Sequence, residues 1–186
     1  MARLFIVHGY TAGPESHWFG WLKQQAEALG MQVCVPAMPD TQAPQEQAWL
    51  SALAECVGQV DADTWFVGHS LGCVTVLRYL NDQPAGQDAA GVLMVSGFSE
   101  PLATLPKLDA FTERPLDCAR LIAKVPHRAV VLSLDDEIVP PAASLRLSQR
   151  LEAPLYGLPA GGHFLDRQGF RELPLLATLL REWQAA

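Results

Sequence analysis

The sequence predicts an α/β fold: a three-layer α/β/α sandwich around a mostly parallel sheet of about six strands. Three observations carry this. Short apolar runs alternate with longer amphipathic stretches along all 186 residues, as strands alternate with crossover helices. The short runs lack in-out alternation, which is the mark of strands buried on both faces. The composition, 49% apolar and 18% charged, supplies core enough for a single domain over 1–186.

The first strand is expected at 4–7, running into His8-Gly9-Tyr10. A helix over 16–29 follows, with Ser16 positioned as N-cap, Trp18, Trp21, Leu22 and Leu29 recurring at helical spacing, and Gly30 stopping it. A strand at 32–35 leads through the turn-rich 36–44 to a helix over 45–60. Next come a strand at 64–67, a helix over 71–81, a turn-rich stretch at 81–91 and a strand at 90–95. The region 96–126 has scattered prolines and one helical segment, 116–124. It is too short for a lid domain with its own core, and is expected to fold over the C-terminal edge of the sheet and leave any site there open. Strands at 129–134 and 154–158 flank a helix over 142–151, and a helix over 168–183 closes the chain. Its Leu173, Leu176, Leu180 and Trp183 share one side, which suits packing on the sheet or a contact surface.

The net charge of −7, with no basic run, argues against nucleic acid as a partner. The N-terminal apolar segment is too short for a secretory signal, and no stretch is long enough to span a bilayer. Cys34, Cys56, Cys73 and Cys118 are scattered, without a C-x-x-C pair or metal-ligand spacing. They read as reduced thiols of a cytoplasmic protein with no membrane partner, no metal and no cofactor.

The most telling local feature is Gly68-His69-Ser70-Leu71-Gly72, set between the apolar run Thr64-Trp65-Phe66-Val67 and the helical stretch from Cys73. Strand, sharp turn and helix put a serine hydroxyl at the end of the sheet, and the two glycines give the room for so tight a reversal. A serine needs a base to take its proton, and the base needs a group to fix its tautomer. His163, after Gly161-Gly162 and the last strand, falls at the same sheet edge, where reacting groups of open parallel sheets converge. His8 is the alternative base. His17 opens a helix, His69 lies inside the turn and His127 enters a strand from the opposite edge. The acid is sought after the strand preceding the histidine loop, where Asp135, Asp136 and Glu137 stand together. Serine, acid, histidine is one of the known hydrolase orders. Backbone N–H groups of Leu71, at a helix N-terminus, and of Tyr10, beside Gly9, are the expected oxyanion donors.

Four motifs in this order, His8-Gly9-Tyr10 with His17-Trp18, Gly68 to Gly72, Asp136-Glu137-Ile138-Val139-Pro140 and Gly162-His163-Phe164, resemble the α/β-hydrolase superfamily. Within it they resemble the small, lidless serine hydrolases typified by retinoblastoma-binding protein nine. The resemblance implies Ser70 as nucleophile, His163 as general base and acid, and Asp136 as orienting acid, with Asp135 its rival. The retinoblastoma-binding signature Leu-x-Cys-x-Glu is missing: Leu71-Gly72-Cys73 continues Val74-Thr75. A serine at the turn, where dehalogenases and epoxide hydrolases resembling this fold need aspartate, points to acyl transfer. The expected reaction is hydrolysis of a small-molecule carboxylic ester or thioester through an acyl-enzyme. A binding module on the same fold, and an acyltransferase or peptidase with the same residues, are the competing readings. Trp18, Phe98 and Ile138, with Tyr10, are expected as apolar pocket walls, though each also reads as core.

Overall fold

The computed structural model describes residues 1–185, and its centre is one six-stranded sheet in which every pairing is parallel. In chain order the elements are β1 (Arg3–Val7), α1 (Phe19–Ala28), β2 (Gln32–Cys34), α2 (Glu46–Val57), β3 (Thr64–His69), α3 (Leu71–Asp82), β4 (Gly91–Val95), α4 (Cys118–Lys124), β5 (His127–Ser133), α5 (Pro141–Arg150), β6 (Leu155–Leu158) and α6 (Pro174–Ala185). The strand order is β2-β1-β3-β4-β5-β6. Chain direction across the sheet therefore reverses after β2, and the ends of β1 and β3 lie side by side at the switch point, where such sheets leave a crevice.

The alternation of side chains along each strand sorts the core into two layers. Phe5, Val7, Phe66, Val92, Met94 and Val130 pack under α2, α3, α4 and α5. Leu4, Ile6, Val67, Leu93, Val95, Ala129 and Val131 pack under α1 and α6. Helix α3 is buried from Leu71 to Leu80, as befits the helix that starts at the sheet centre and is covered in turn by its neighbours. Its Arg78 is buried and donates to the carbonyls of Pro115 (3.1 Å), Phe111 (3.3 Å) and Arg114. That cation pins the irregular segment after β4, with its 3₁₀ turn at Pro106–Phe111, onto α3; of this segment Thr104 and Leu105 reach the crevice.

Gly72 and Gly68 set how closely α3 seats on the sheet. A Cβ on Gly72 would lie 2.0 Å from the Val7 carbonyl oxygen, and one on Gly68 would lie 2.7 Å from Cys73 N and Cα. Any side chain at either position would lever the helix off the strand.

Three expectations need correction. Ser16 is not the N-cap of α1, which begins at Phe19 with Trp18 in the cap position and no side-chain cap. Ser16 Oγ instead accepts from Gly13 N (2.9 Å), and His17, at φ 53°, cannot continue a right-handed helix. The last helix starts at Pro174 rather than 168, because Gly169 takes φ 91° and proline suits a first turn. Leu173, Leu176 and Leu180 pack on the sheet as expected. The cysteines are not all apart: Cys34 Sγ on β2 lies 2.9 Å from Cys56 Sγ on α2, both as thiols. No described helix is long and apolar enough to cross a membrane.

Candidate active site

Ser70 stands between β3 and α3 with φ 54° and ψ −120°, a backbone region that L residues enter only when the surroundings enforce it. Its N–H donates to Val95 O of β4 and its carbonyl accepts from Cys73 N, each at 2.9 Å. These two bonds tie the turn to the next strand and to the first turn of α3. The side chain is left at the floor of a cavity of about 610 Å³, which His163, Tyr10, Thr104, Leu105 and Ile138 also line.

His163 reaches this cavity from the turn after β6. Its Nδ1 is 2.8 Å from Asp136 Oδ2, with both side chains buried. An ionised carboxylate only accepts, so Nδ1 carries the proton and the Nε2 lone pair is free. Asp136 Oδ1 accepts from Ile138 N (2.9 Å) and Val139 N (3.0 Å). Both oxygens are thus satisfied, as a buried charge requires, and the carboxylate has one orientation.

Asp135, the rival acid, does other work. With Ser133 Oγ it accepts from Gly161 N, and it also accepts from Gly162 N (2.8 Å), clamping the backbone just before the histidine. The Ser133 hydroxyl, then the two glycine N–H groups, hold its carboxyl below the usual range. Gln168 adds a second clamp: its Oε1 accepts from His163 N (2.9 Å) and Leu165 N (3.2 Å). A third comes from His69, buried beside Ser70, whose Nε2–H donates to His163 O (2.8 Å). Burial keeps the His69 ring neutral, far below the usual imidazole range. No local sequence rule marks Gln168, Ser133 or His69 for these tasks.

The loop after β1 lies on the serine turn. A Cβ on Gly9 would come within 3.1 Å of Ser70 Cβ and His69 O and 3.6 Å of Leu71 N, so any side chain there would press on the serine turn and glycine lets the two backbones lie closest. Among the described residues, neither Tyr10 N nor Leu71 N donates to a backbone carbonyl or side chain outside a helix or strand. Leu71 opens α3, where an N–H has no partner within the helix.

His8, the alternative base, faces away from this chemistry. Its Nε2 accepts from Met38 N (3.0 Å), its Nδ1–H donates to Gly9 O (2.9 Å), and its ring is wholly buried against Trp49. Two expected pocket walls are core instead. Trp18 is buried under α1 and Phe98 under α3 and α5, and neither lines the cavity, whereas Ile138 and Tyr10 do. His17, not singled out for the site, lines it too. Among the described residues no cluster of His, Cys, Asp and Glu is arranged to hold a metal ion.

A doubly wound parallel sheet with a serine on the strained turn after its central strand defines the α/β-hydrolase type. The profile of the family described as serine hydrolase matches residues 4–182, and the chain belongs to that family. YdeN of Bacillus subtilis (strain 168) is 39% identical over 181 residues, 97% of this chain and 95% of that protein. The crystal structure of the ydeN gene product superposes with a TM-score of 0.97 over 100% of both chains, at 38% identity. Serine hydrolase RBBP9 of Rattus norvegicus is 28% identical over 175 residues, 92% of this chain and 91% of its own. Est1E from Butyrivibrio proteoclasticus shares the fold, with a TM-score of 0.74 at 16% identity over 100% of this chain and 89% of its own.

Proposed function

We propose that the protein cleaves small carboxylic esters or thioesters through an acyl-enzyme on Ser70. The observation that carries this reading is the buried Asp136–His163 pair (2.8 Å), whose free imidazole nitrogen belongs to a ring lining the same cavity as Ser70. In this mechanism His163 Nε2 takes the Ser70 hydroxyl proton as Oγ attacks the carbonyl carbon. The tetrahedral oxyanion accepts from the N–H groups of Tyr10 and Leu71, the latter at the positive end of the α3 dipole. On collapse the C–O or C–S bond breaks, and the leaving group departs with the proton from His163. Water, deprotonated by the same nitrogen, then attacks the acyl carbon and returns Ser70. Asp136 keeps Nδ1 protonated throughout and offsets the charge of the imidazolium. The partner in this reading is a small-molecule ester met in the cytoplasm.

The test is pre-steady-state hydrolysis of p-nitrophenyl acetate. A burst of one nitrophenolate per chain, abolished in Ser70→Ala with the fold unchanged by circular dichroism, is the expected result. Turnover that survives Ser70→Ala would overturn the mechanism.

A further inference from the structure

Among the residues lining the cavity, His17 has no part in the proposed reaction, yet its placement is tightly enforced. Its backbone sits at φ 53°, in the left-handed region that is uncommon for residues other than glycine, although histidine is among those that enter it more often. Its side chain is 13% exposed, and its ring is wedged edge-on between Phe19 (5.5 Å between centroids) and His69 (5.4 Å). The ring therefore points one way.

That direction is chemically defined. Asp166 N donates to His17 Nδ1 at 3.1 Å, so Nδ1 presents its lone pair and the neutral ring carries its proton on Nε2. The Asp166 carboxylate pulls the other way, but its Oδ1 is 3.5 Å from Nδ1 and already accepts from Arg167 N (2.7 Å). A proton on Nδ1 would face the Asp166 N–H donor head-on. Burial, the largest influence on this ring, also favours the neutral form. Among the described residues no protein group is bonded to Nε2, and that atom is not sealed in the interior; His17 lines the cavity, which leaves this N–H available to a ligand there. The cavity wall mixes apolar side chains such as Tyr10, Leu105 and Ile138 with polar ones such as Thr104, Glu137 and Arg167, and an oriented donor in such a wall is how pockets fix ligand orientation. The cavity of about 610 Å³ also exceeds what an acetyl or propionyl group fills.

We propose that His17 is a substrate-binding residue whose Nε2–H donates to a second oxygen of the substrate, an alkoxy, hydroxyl or carbonyl group apart from the scissile ester. The inference rests on the serine-hydrolase reading above. An oxygen-bearing ester meets the donor, whereas a hydrocarbon ester of the same size strips it of water and leaves it unpaired.

Isosteric pairs read this directly. p-Nitrophenyl methoxyacetate and butyrate differ by oxygen against methylene on the acyl side, and 2-methoxyethyl and n-butyl acetate do so on the alcohol side. The ratio of kcat/KM within each pair is compared between the wild type, His17→Asn, which tolerates the left-handed backbone but is too short to reach, and His17→Phe. In one of the pairs the oxygen preference should fall about five- to tenfold in both variants, mainly through KM. An equal loss on both members of each pair would mean a structural role and overturn the proposal, as would unchanged ratios. Nitrogen-15 spectra of the wild-type imidazole give a second reading without any variant. His17 should be protonated on Nε2, and that nitrogen should shift on phosphonylation with an alkoxy-bearing but not a plain alkyl fluorophosphonate; protonation on Nδ1 would overturn the proposal. Loss of the underlying reading looks different. In that case the wild type shows neither ester turnover nor fluorophosphonate labelling at Ser70, whereas failure of the His17 inference alone leaves both intact and merely unselective.

Discussion

Asp136→Asn should silence the enzyme while leaving it folded, and the structure says why. Asp136 Oδ1 accepts two backbone N–H groups, at 2.9 and 3.0 Å. An asparagine must keep its oxygen there, because the flipped amide would lose two hydrogen bonds of about 1 kcal/mol each and set NH₂ against two donors, leaving roughly 3% or less flipped. The NH₂ group then faces His163 Nδ1, now 2.8 Å from the carboxylate, and donates to it. His163 is forced into the other tautomer, with its proton on Nε2, where it cannot accept from Ser70. Tautomer inversion of this kind costs about 10⁴-fold in kcat, or roughly 5.5 kcal/mol of barrier, with KM little changed. Steady-state kinetics on p-nitrophenyl acetate measure the loss, and urea denaturation checks the fold. Asp135→Asn is the control: its oxygen serves Gly161 N and Gly162 N, which an amide oxygen also can, so kcat should stay within about tenfold. An Asp136→Asn enzyme retaining more than a tenth of wild-type kcat, or an Asp135→Asn enzyme that is the more impaired of the two, would refute the reasoning.

Other positions make separate predictions. Gly72→Ala places a methyl 2.0 Å from the Val7 carbonyl oxygen and 2.8 Å from that of His8; backbone cannot swing aside as a side chain can. The cost should be at least about 3 kcal/mol in urea unfolding, the upper end for overpacking, and a loss under 1 kcal/mol would mean that α3 seats less closely on β1. Stability should also fall in mild acid. Burial holds His8, His17 and His69 below their ordinary value of 6.5. Below that pH the unfolded chain binds protons that the folded chain refuses, so stability is complete above it and declines as pH drops toward the folded values. The limb steepens by up to about 1.4 kcal/mol per pH unit for each imidazole that stays neutral. Urea midpoints at pH 7.5 and 5.5 test this, and equal midpoints would contradict it.

All six strands are legible in the sequence, for two reasons: the four inner ones are buried along most of their length and so must be apolar throughout, whereas β2 and β6 at the edges are half-exposed and show only as short runs between turns. Where boundaries went astray, the cause was one residue with an unusual backbone: His17 at φ 53° delaying α1, and Gly169 at φ 91° with Pro174 delaying α6. The relation of Ser70 to the histidine loop is legible from chain order, since parallel strands deliver their C-terminal ends to one edge. The choice between Asp135 and Asp136 is not, because adjacent residues turn opposite ways and only the fold decides which carboxylate meets His163. Trp18 and Phe98 illustrate another limit. A large apolar residue near a site becomes wall or core according to packing around it, which spacing does not encode. The clamps from Gln168, Ser133 and His69 are side-chain bonds to backbone, and a backbone partner leaves no trace in residue type.

The central claim, that Ser70 is the nucleophile, is tested most directly by treating the protein with a fluorophosphonate and locating the adduct by peptide mass spectrometry. The account predicts one phosphonyl group per chain on Ser70, formed slowly in Asp136→Asn and absent in Ser70→Ala. An adduct on any other residue, or labelling undiminished in Ser70→Ala, would contradict it.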